Sequence, residues 1–160
     1  MSAIRFSFLI PTRGNPSGLA KLFRSLQENT RALGELEVVL AIDEDDAESR
    51  AVDAPGVQIK RVMLPRGHTM GALNNACYAA SEGRFVMVMN DDVVIRTEGW
   101  DRRVGEVLAT FPDDIALIHV NDLLFRERLC TFPIVSRRAC EEVGLCPTTY
   151  RRYKIDDHIY

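Results

Sequence analysis

Four polar clusters in this sequence have the residue types and spacing to do chemistry. Thr12 and Arg13 follow the apolar run Phe6 to Ile10 and Pro11. Asp43-Glu44-Asp45-Asp46 follows Glu37 to Ile42, which reads EVVLAI. Asn90-Asp91-Asp92 follows Phe85 to Met89, which reads FVMVM. Asp156-Asp157-His158 lies near the last residue, Tyr160. Adjacent carboxylates repel one another and favour a bound cation. Hard oxygen donors suit Mg²⁺ or Mn²⁺, and Mg²⁺ is commonly held by one or two carboxylates together with substrate phosphates. The sequence has neither a Gly-x-x-x-x-Gly-Lys loop nor a Gly-x-Gly-x-x-Gly turn after its first apolar run, so the usual backbone cradles for phosphate are missing. A cation bridging an otherwise unsupported diphosphate fits that combination.

The elements that must position these clusters follow from the apolar pattern. Phe6 to Ile10, Glu37 to Ile42, Phe85 to Met89 and Ile115 to Val120 are continuous apolar runs rather than alternations. Such runs suit strands buried on both faces of a parallel sheet. Helical patterns lie between them. Asn15 is placed to cap a helix with Pro16 at its first position and Leu19, Leu22, Phe23 and Leu26 on one face. Thr69 is placed to cap a second, with Met70, Leu73, Cys77 and Ala80 facing the core and Gly83 at its end. Trp100, Val104, Val107, Leu108 and Phe111 form a third stripe before Pro112, and Ser136 and Gly144 bracket a short fourth helix. Repeated strand–helix–strand units predict right-handed crossovers and an α/β fold with a mostly parallel central sheet. The first three polar clusters then fall at strand carboxyl ends, the edge where open α/β sheets bind ligands.

Bulk properties bound the answer. A chain of 160 residues is expected to form one domain, residues 1–160. A net charge of −3 gives no reason to expect nucleic acid or an anionic membrane as partner. The apolar stretch near the N-terminus is too short for a signal-peptide core, and no run approaches a membrane span. Cys77, Cys130, Cys140 and Cys146 show no metal-ligand spacing and are expected as reduced thiols in a cytoplasmic protein.

At this point the sequence resembles the family 2 glycosyltransferases. FSFLIPTRGNPSGLAKLFRSL is similar to their opening strand and helix, and EVVLAIDEDD to their second strand ending in aspartate. GALNNACYAASEGRFVMVMNDDVVI resembles the segment leading to their Asp-x-Asp-type metal motif, FPIVSRRACEEVG the acceptor-side strand and helix, and YKIDDHIY their late Glu-Asp segment. The resemblance implies a GT-A fold, a Rossmann-type three-layer sandwich, and a nucleotide diphosphate sugar as donor. It implies that Thr12, Arg13 and Asp43 line the nucleotide pocket, that Asp91 approaches the ribose and that Asp92 ligates Mn²⁺ or Mg²⁺. It implies Asp157 as general base toward a carbohydrate or other hydroxyl acceptor, with Asp156 where the family usually has glutamate. Three departures stand out. Asn90 replaces the first acid of the triplet. Leu73 stands where the family often has arginine, leaving Arg66 as the candidate for the diphosphate. The chain ends just after Asp157, where the family normally continues, which implies a fragment or an unusually short member.

Other readings sit beside this one. Asp43 is also placed to cap a following helix, Trp100 to be core rather than a sugar platform, His119 to be structural, and His158 to be a surface residue rather than a metal ligand. A non-catalytic nucleotide-binding domain of the same fold is one alternative. A sugar nucleotidyltransferase is another, disfavoured because Pro11-Thr12-Arg13-Gly14-Asn15-Pro16 lacks the glycine density that holds a triphosphate. A phospho-acceptor receiver domain fails because its acidic pair should follow the first strand.

Overall fold

The computed structural model describes residues 4–123, 125 and 128–148. Asp156, Asp157 and His158 lie outside the described residues. The chain runs β1 (Phe6–Thr12), α1 (Pro16–Asn29), β2 (Leu36–Asp43), α2 (Ala47–Ala51), β3 (Gln58–Leu64), α3 (Met70–Ala80), β4 (Phe85–Val88), α4 (Trp100–Leu108), β5 (Leu117–Ile118), β6 (Ile134–Ser136) and α5 (Arg137–Val143). The six strands form one sheet in the order β3-β2-β1-β4-β6-β5. The first four are parallel, whereas β6 runs antiparallel to both β4 and β5.

The continuous apolar runs are explained by helices on both faces. Phe6, Phe8 and Ile10 of β1 join Val38, Leu40 and Ile42 of β2 in one core, closed by Leu19, Leu22, Phe23 and Leu26 of α1 and Trp100 and Leu108 of α4. The intervening Leu9, Val39 and Ala41 face the other way and pack with Cys77 of α3 and Cys140 of α5. Trp100 settles into the first core, its ring 5.0 Å from that of Phe6 and 5.1 Å from that of Phe8. Its indole N–H donates to Thr30 Oγ1 at 2.9 Å, satisfying the one polar atom such burial strands. Trp100 is therefore core. His119 is half-buried just beyond β5.

The helix starts are where the sequence puts them. The side chains of Asn15, Thr69 and Ser136 accept from the backbone N–H groups of Gly18, Ala72 and Ala139. Three expectations need correction. The run Ile115 to Val120 forms only the two-residue β5, and it is antiparallel at the sheet edge, with Ile115 and Leu117 exposed. α4 ends at Leu108, so Phe111 lies beyond it, and Val107 within it is off the buried face; both are exposed. α3 is closed by Ser81, not Gly83. Gly83 is instead demanded by close approach, since a Cβ there would lie 2.3 Å from Ser7 Oγ and 2.7 Å from Ser7 N. The helix after β2 is capped by Asp46, which sets aside the alternative reading of Asp43 as its cap.

The amino ends of the strands are braced by a buried carboxylate. Glu37, fully buried, accepts from Ser7 Oγ at 2.6 Å and from the N–H groups of Glu82 and Gly83 at 2.6 and 3.2 Å. Lys60 Nζ lies 2.9 Å from its other oxygen. Burial alone would raise the Glu37 pKa, but the bonds from Glu82 N–H, Ser7 and Lys60 outweigh it and hold the carboxyl below its ordinary range.

The cysteines are all buried, with no disulfide among the described residues. Burial pushes the Cys77 and Cys146 thiols up to about 12 and Cys140 to about 11. They are inert packing groups rather than nucleophiles. Among the described residues no helix is long and apolar enough to cross a membrane.

Candidate active site

The chain leaves β1 toward β2 and β3 on one side and returns through α3 to β4 on the other. The crevice between β1 and β4 is thus the point where the winding reverses, and its carboxyl edge is the default ligand site of such a sheet. Three strand ends meet there. β1 delivers Thr12, paired in register with Ile42, so Asp43 follows directly on the neighbouring strand. Beyond β4, Met89 N–H still bonds Leu9 O at 3.0 Å, which carries Asn90-Asp91-Asp92 out alongside the end of β1.

Asp91 closes the crevice. Its Oδ2 accepts from Thr12 Oγ1 at 2.6 Å and its Oδ1 from Asn15 Nδ2 at 3.0 Å. These bonds join residues far apart in sequence and span the switch point. Asp92, the next residue, is exposed. The turn after β2 is equally organised. Asp46 N–H donates to Asp43 O at 2.9 Å, and Glu44 N–H to Leu64 O at 3.0 Å. Asp46 accepts from Gly14 N–H at 2.7 Å and Ser49 N–H at 3.1 Å, tying the β1 turn to the start of α2. Gly14 has φ +61, a left-handed conformation that glycine adopts without penalty. Burial would raise the Asp46 pKa, but the bonds from Ser49 and Gly14 hold it below the usual carboxylate range.

Arg13 bridges the same turn. Its Nη1 contacts Asp43 Oδ2, while Nη1 and Nη2 reach the two oxygens of Asp45 at 2.7 and 3.1 Å. The fork is bidentate on Asp45, which fixes the guanidinium plane. The bonds from Arg13 hold the Asp45 carboxyl below its ordinary range, and Arg66 adds to that electrostatically. Arg66 is exposed, in the loop between β3 and α3. The structure therefore brings Thr12, Arg13, Asp43, Asp91 and Asp92 to one edge, with Arg66 close enough to act on Asp45.

Three site residues were not singled out from sequence: Asp46, Asp45 as the clamp on Arg13, and Asn15 beyond its capping role. Asp46 carried a usable signal, an aspartate three residues before Ser49 at the start of a short helical pattern. The other two contacts join residues more than thirty positions apart, and nothing local marks them.

Among the described residues no group of three or more His, Cys, Asp or Glu side chains is arranged to hold a metal. Asp91 is engaged by Thr12 and Asn15, and the adjacent Asp92 offers an exposed carboxylate. One carboxylate does not make a protein-only cage. It does fit a hard cation that takes most of its oxygens from a diphosphate, as Mg²⁺ sites commonly do.

The same architecture recurs in solved structures. The mannosyltransferase PcManGT from Pyrobaculum calidifontis, in complex with GDP-Man and Mn²⁺, aligns with a TM-score of 0.78 at 15% identity, over 98% of this chain and 50% of that one. S. aureus TarS aligns with a TM-score of 0.69 at 17% identity, over 96% of this chain and 32% of that one. TarS 1-349 in complex with UDP gives 0.68 at 17% identity, over 92% and 52%. The fold is thus a GT-A-like α/β fold, and the chain spans between about a third and about half of the length of these structures. The model of glycosyl transferase family 2 matches residues 7–122. This chain belongs to that family. No curated protein sequence matches it.

Proposed function

We propose that the chain binds a nucleotide diphosphate sugar across the β1–β4 crevice and transfers the sugar, with inversion, to an acceptor hydroxyl. The observation that carries this reading is the Thr12–Asp91 hydrogen bond of 2.6 Å, which closes the switch point beside an exposed Asp92. Family membership gives the reaction class. Neighbours of the same fold hold GDP-Man with Mn²⁺ in one case and UDP in another, which supports a nucleotide at this edge and leaves both bases as candidates.

In this reading Thr12, Arg13 and Asp43 line the base pocket, Asp91 faces the ribose, and Arg66 meets the diphosphate from the β3–α3 loop. Asp92 is the residue that would hold Mn²⁺ or Mg²⁺ beside the diphosphate. When bound, such a cation supplies Lewis-acid stabilisation of the charge that builds on the leaving diphosphate. The acceptor oxygen attacks the anomeric carbon from the face opposite the diphosphate, and its proton passes to Asp157. One displacement inverts the configuration.

The test is ligand-induced stabilisation of the chain by UDP and by GDP, with and without Mn²⁺. A ligand at a hundred times its Kd adds about 2.7 kcal/mol, a rise of about 5–10 °C in Tm for a domain of this size. Such a shift is expected with one of the two nucleotides and only with the metal. No shift with either would sink the reading.

The base assignment makes a separate prediction. In a form of the protein that transfers sugar, Asp157→Asn should leave donor affinity nearly intact and lower transfer by about 10²-fold or more, as expected for loss of a positioned base. A larger loss in Asp156→Asn would move the role by one residue. No loss in either would make this acidic pair structural.

A further inference from the structure

The amide of Asn15 makes two bonds that together fix its orientation. Its Oδ1 accepts from Gly18 N–H at 3.1 Å in the first turn of α1, and its Nδ2 donates to Asp91 Oδ1 at 3.0 Å. A cap must present its oxygen to the helix, so the nitrogen is left pointing at β4. Asp91 is then held from two sides, by Thr12 of β1 and by Asn15 of the α1 cap.

Gly18 shows that this seat is specific. A Cβ at position 18 would lie 2.2 Å from Asn15 Nδ2, 2.7 Å from its Cγ and 2.8 Å from its Oδ1. Glycine inside a helix is ordinarily a liability relative to alanine. Here the missing side chain is the space in which the Asn15 amide lies. A cap of the same strength is available from serine or aspartate without either feature reaching Asp91 as an amide donor.

We propose that Asn15, seated by Gly18, is a positioning residue that holds the Asp91 carboxylate against the nucleotide. This rests on the reading above, in which Asp91 faces the ribose. The device converts the N-terminus of α1 into a brace for the β4 loop. Without it, Asp91 keeps only Thr12 and is free to turn about that single bond.

The test uses the full chain, with UDP and GDP in the presence of Mn²⁺ as probes in calorimetry. Asn15→Ser retains a capping oxygen and loses the amide donor, so affinity should fall about tenfold, the order expected for one hydrogen bond to a charged group, while unfolding should change only by the loss of the Asp91 bond and not by loss of the cap. Asn15→Asp, an equal cap that places a carboxylate beside Asp91, should not restore affinity. Gly18→Ala should also fall about tenfold because it displaces the amide. In the Asn15→Ser background Gly18→Ala should cost nothing further, since the group it displaces is gone. Unchanged affinity in Asn15→Ser, or losses that simply multiply in the double variant, would overturn the proposal.

A ligand-free measurement separates this from the functional reading. A double-mutant cycle between Asn15→Ser and Asp91→Ala, read by urea unfolding, should show a coupling of about twofold or more in the unfolding constant. Failure of the wild-type chain to bind either nucleotide would count against the nucleotide-binding reading and, with it, against a role in nucleotide binding for Asn15. The cycle would still decide whether Asn15 holds Asp91, and no coupling would overturn that.

Discussion

Replacing Glu37 with alanine is expected to lower the stability of the domain by about 2–5 kcal/mol, the cost of leaving buried hydrogen-bond donors without their acceptor. The effect is large because one carboxylate serves four donors. Ser7 Oγ, the N–H groups of Glu82 and Gly83, and Lys60 Nζ all converge on it. Gly83 N–H also donates to Ser7 Oγ at 2.8 Å and would keep that acceptor. Lys60 would keep the exposed Glu82 at 2.7 Å and the Ala80 carbonyl at 3.2 Å, so the uncompensated donors are the Ser7 hydroxyl and the Glu82 N–H. Urea unfolding of Glu37→Ala at neutral pH measures the loss, and a change under about 1 kcal/mol, the level of an exposed pair, would refute the account. The pH dependence has a definite sign. The native carboxyl is held below its ordinary value, so its contribution is complete above the unfolded-state range near ~4.3 and is lost as pH falls through the native value. The difference between wild type and Glu37→Ala should therefore narrow on acidification.

Replacing Asp92 with alanine is expected to abolish most metal-dependent nucleotide affinity while leaving the fold intact. Asp92 is exposed, and no hydrogen bond or ion pair in the described structure uses its side chain. If it shares a cation with the diphosphate, its loss removes an interaction worth several kcal/mol, on the order of 10²-fold in affinity. Calorimetry with the responsive nucleotide in Mn²⁺ reads that loss, and in chelator the variant and wild type should bind alike. Equal affinity of the two proteins in Mn²⁺ would remove Asp92 from the metal side. Asp91→Ala is the informative contrast. Asp91 accepts from Thr12 and Asn15, so its removal should weaken binding and also disturb the junction of β1, α1 and β4, which Asp92→Ala should not.

The elements were legible where local and global demands agree. Phe6 to Ile10, Glu37 to Ile42 and Phe85 to Met89 are apolar without interruption because helices cover both faces of their strands. Asn15, Thr69 and Ser136 announce their helices because a capping side chain acts within three residues. Elements at the margins were hidden. β3 contains Lys60 and Arg61 and is half-buried, so its apolar signal is diluted. The run Ile115 to Val120 was overread, because hydrophobicity cannot distinguish a central strand from a short edge strand whose residues stay exposed.

The site divides along the same line. Sequence order and the strand–helix alternation were enough to place Thr12, Asp43, Asp91 and Asp92 on one edge, since carboxyl ends of parallel strands share an edge by construction. The residue types then limited the chemistry to carboxylates, a hydroxyl and a guanidinium. Only the tertiary structure decided which of them touch. It gave both Asp91 oxygens to Thr12 and Asn15, gave Arg13 to Asp43 and Asp45, made Asp46 rather than Asp43 the helix cap, and left Asp92 facing solvent. Those pairings depend on strand order and on turn geometry at Gly14. Both are set by packing between segments distant in the chain, which no local pattern of residues encodes.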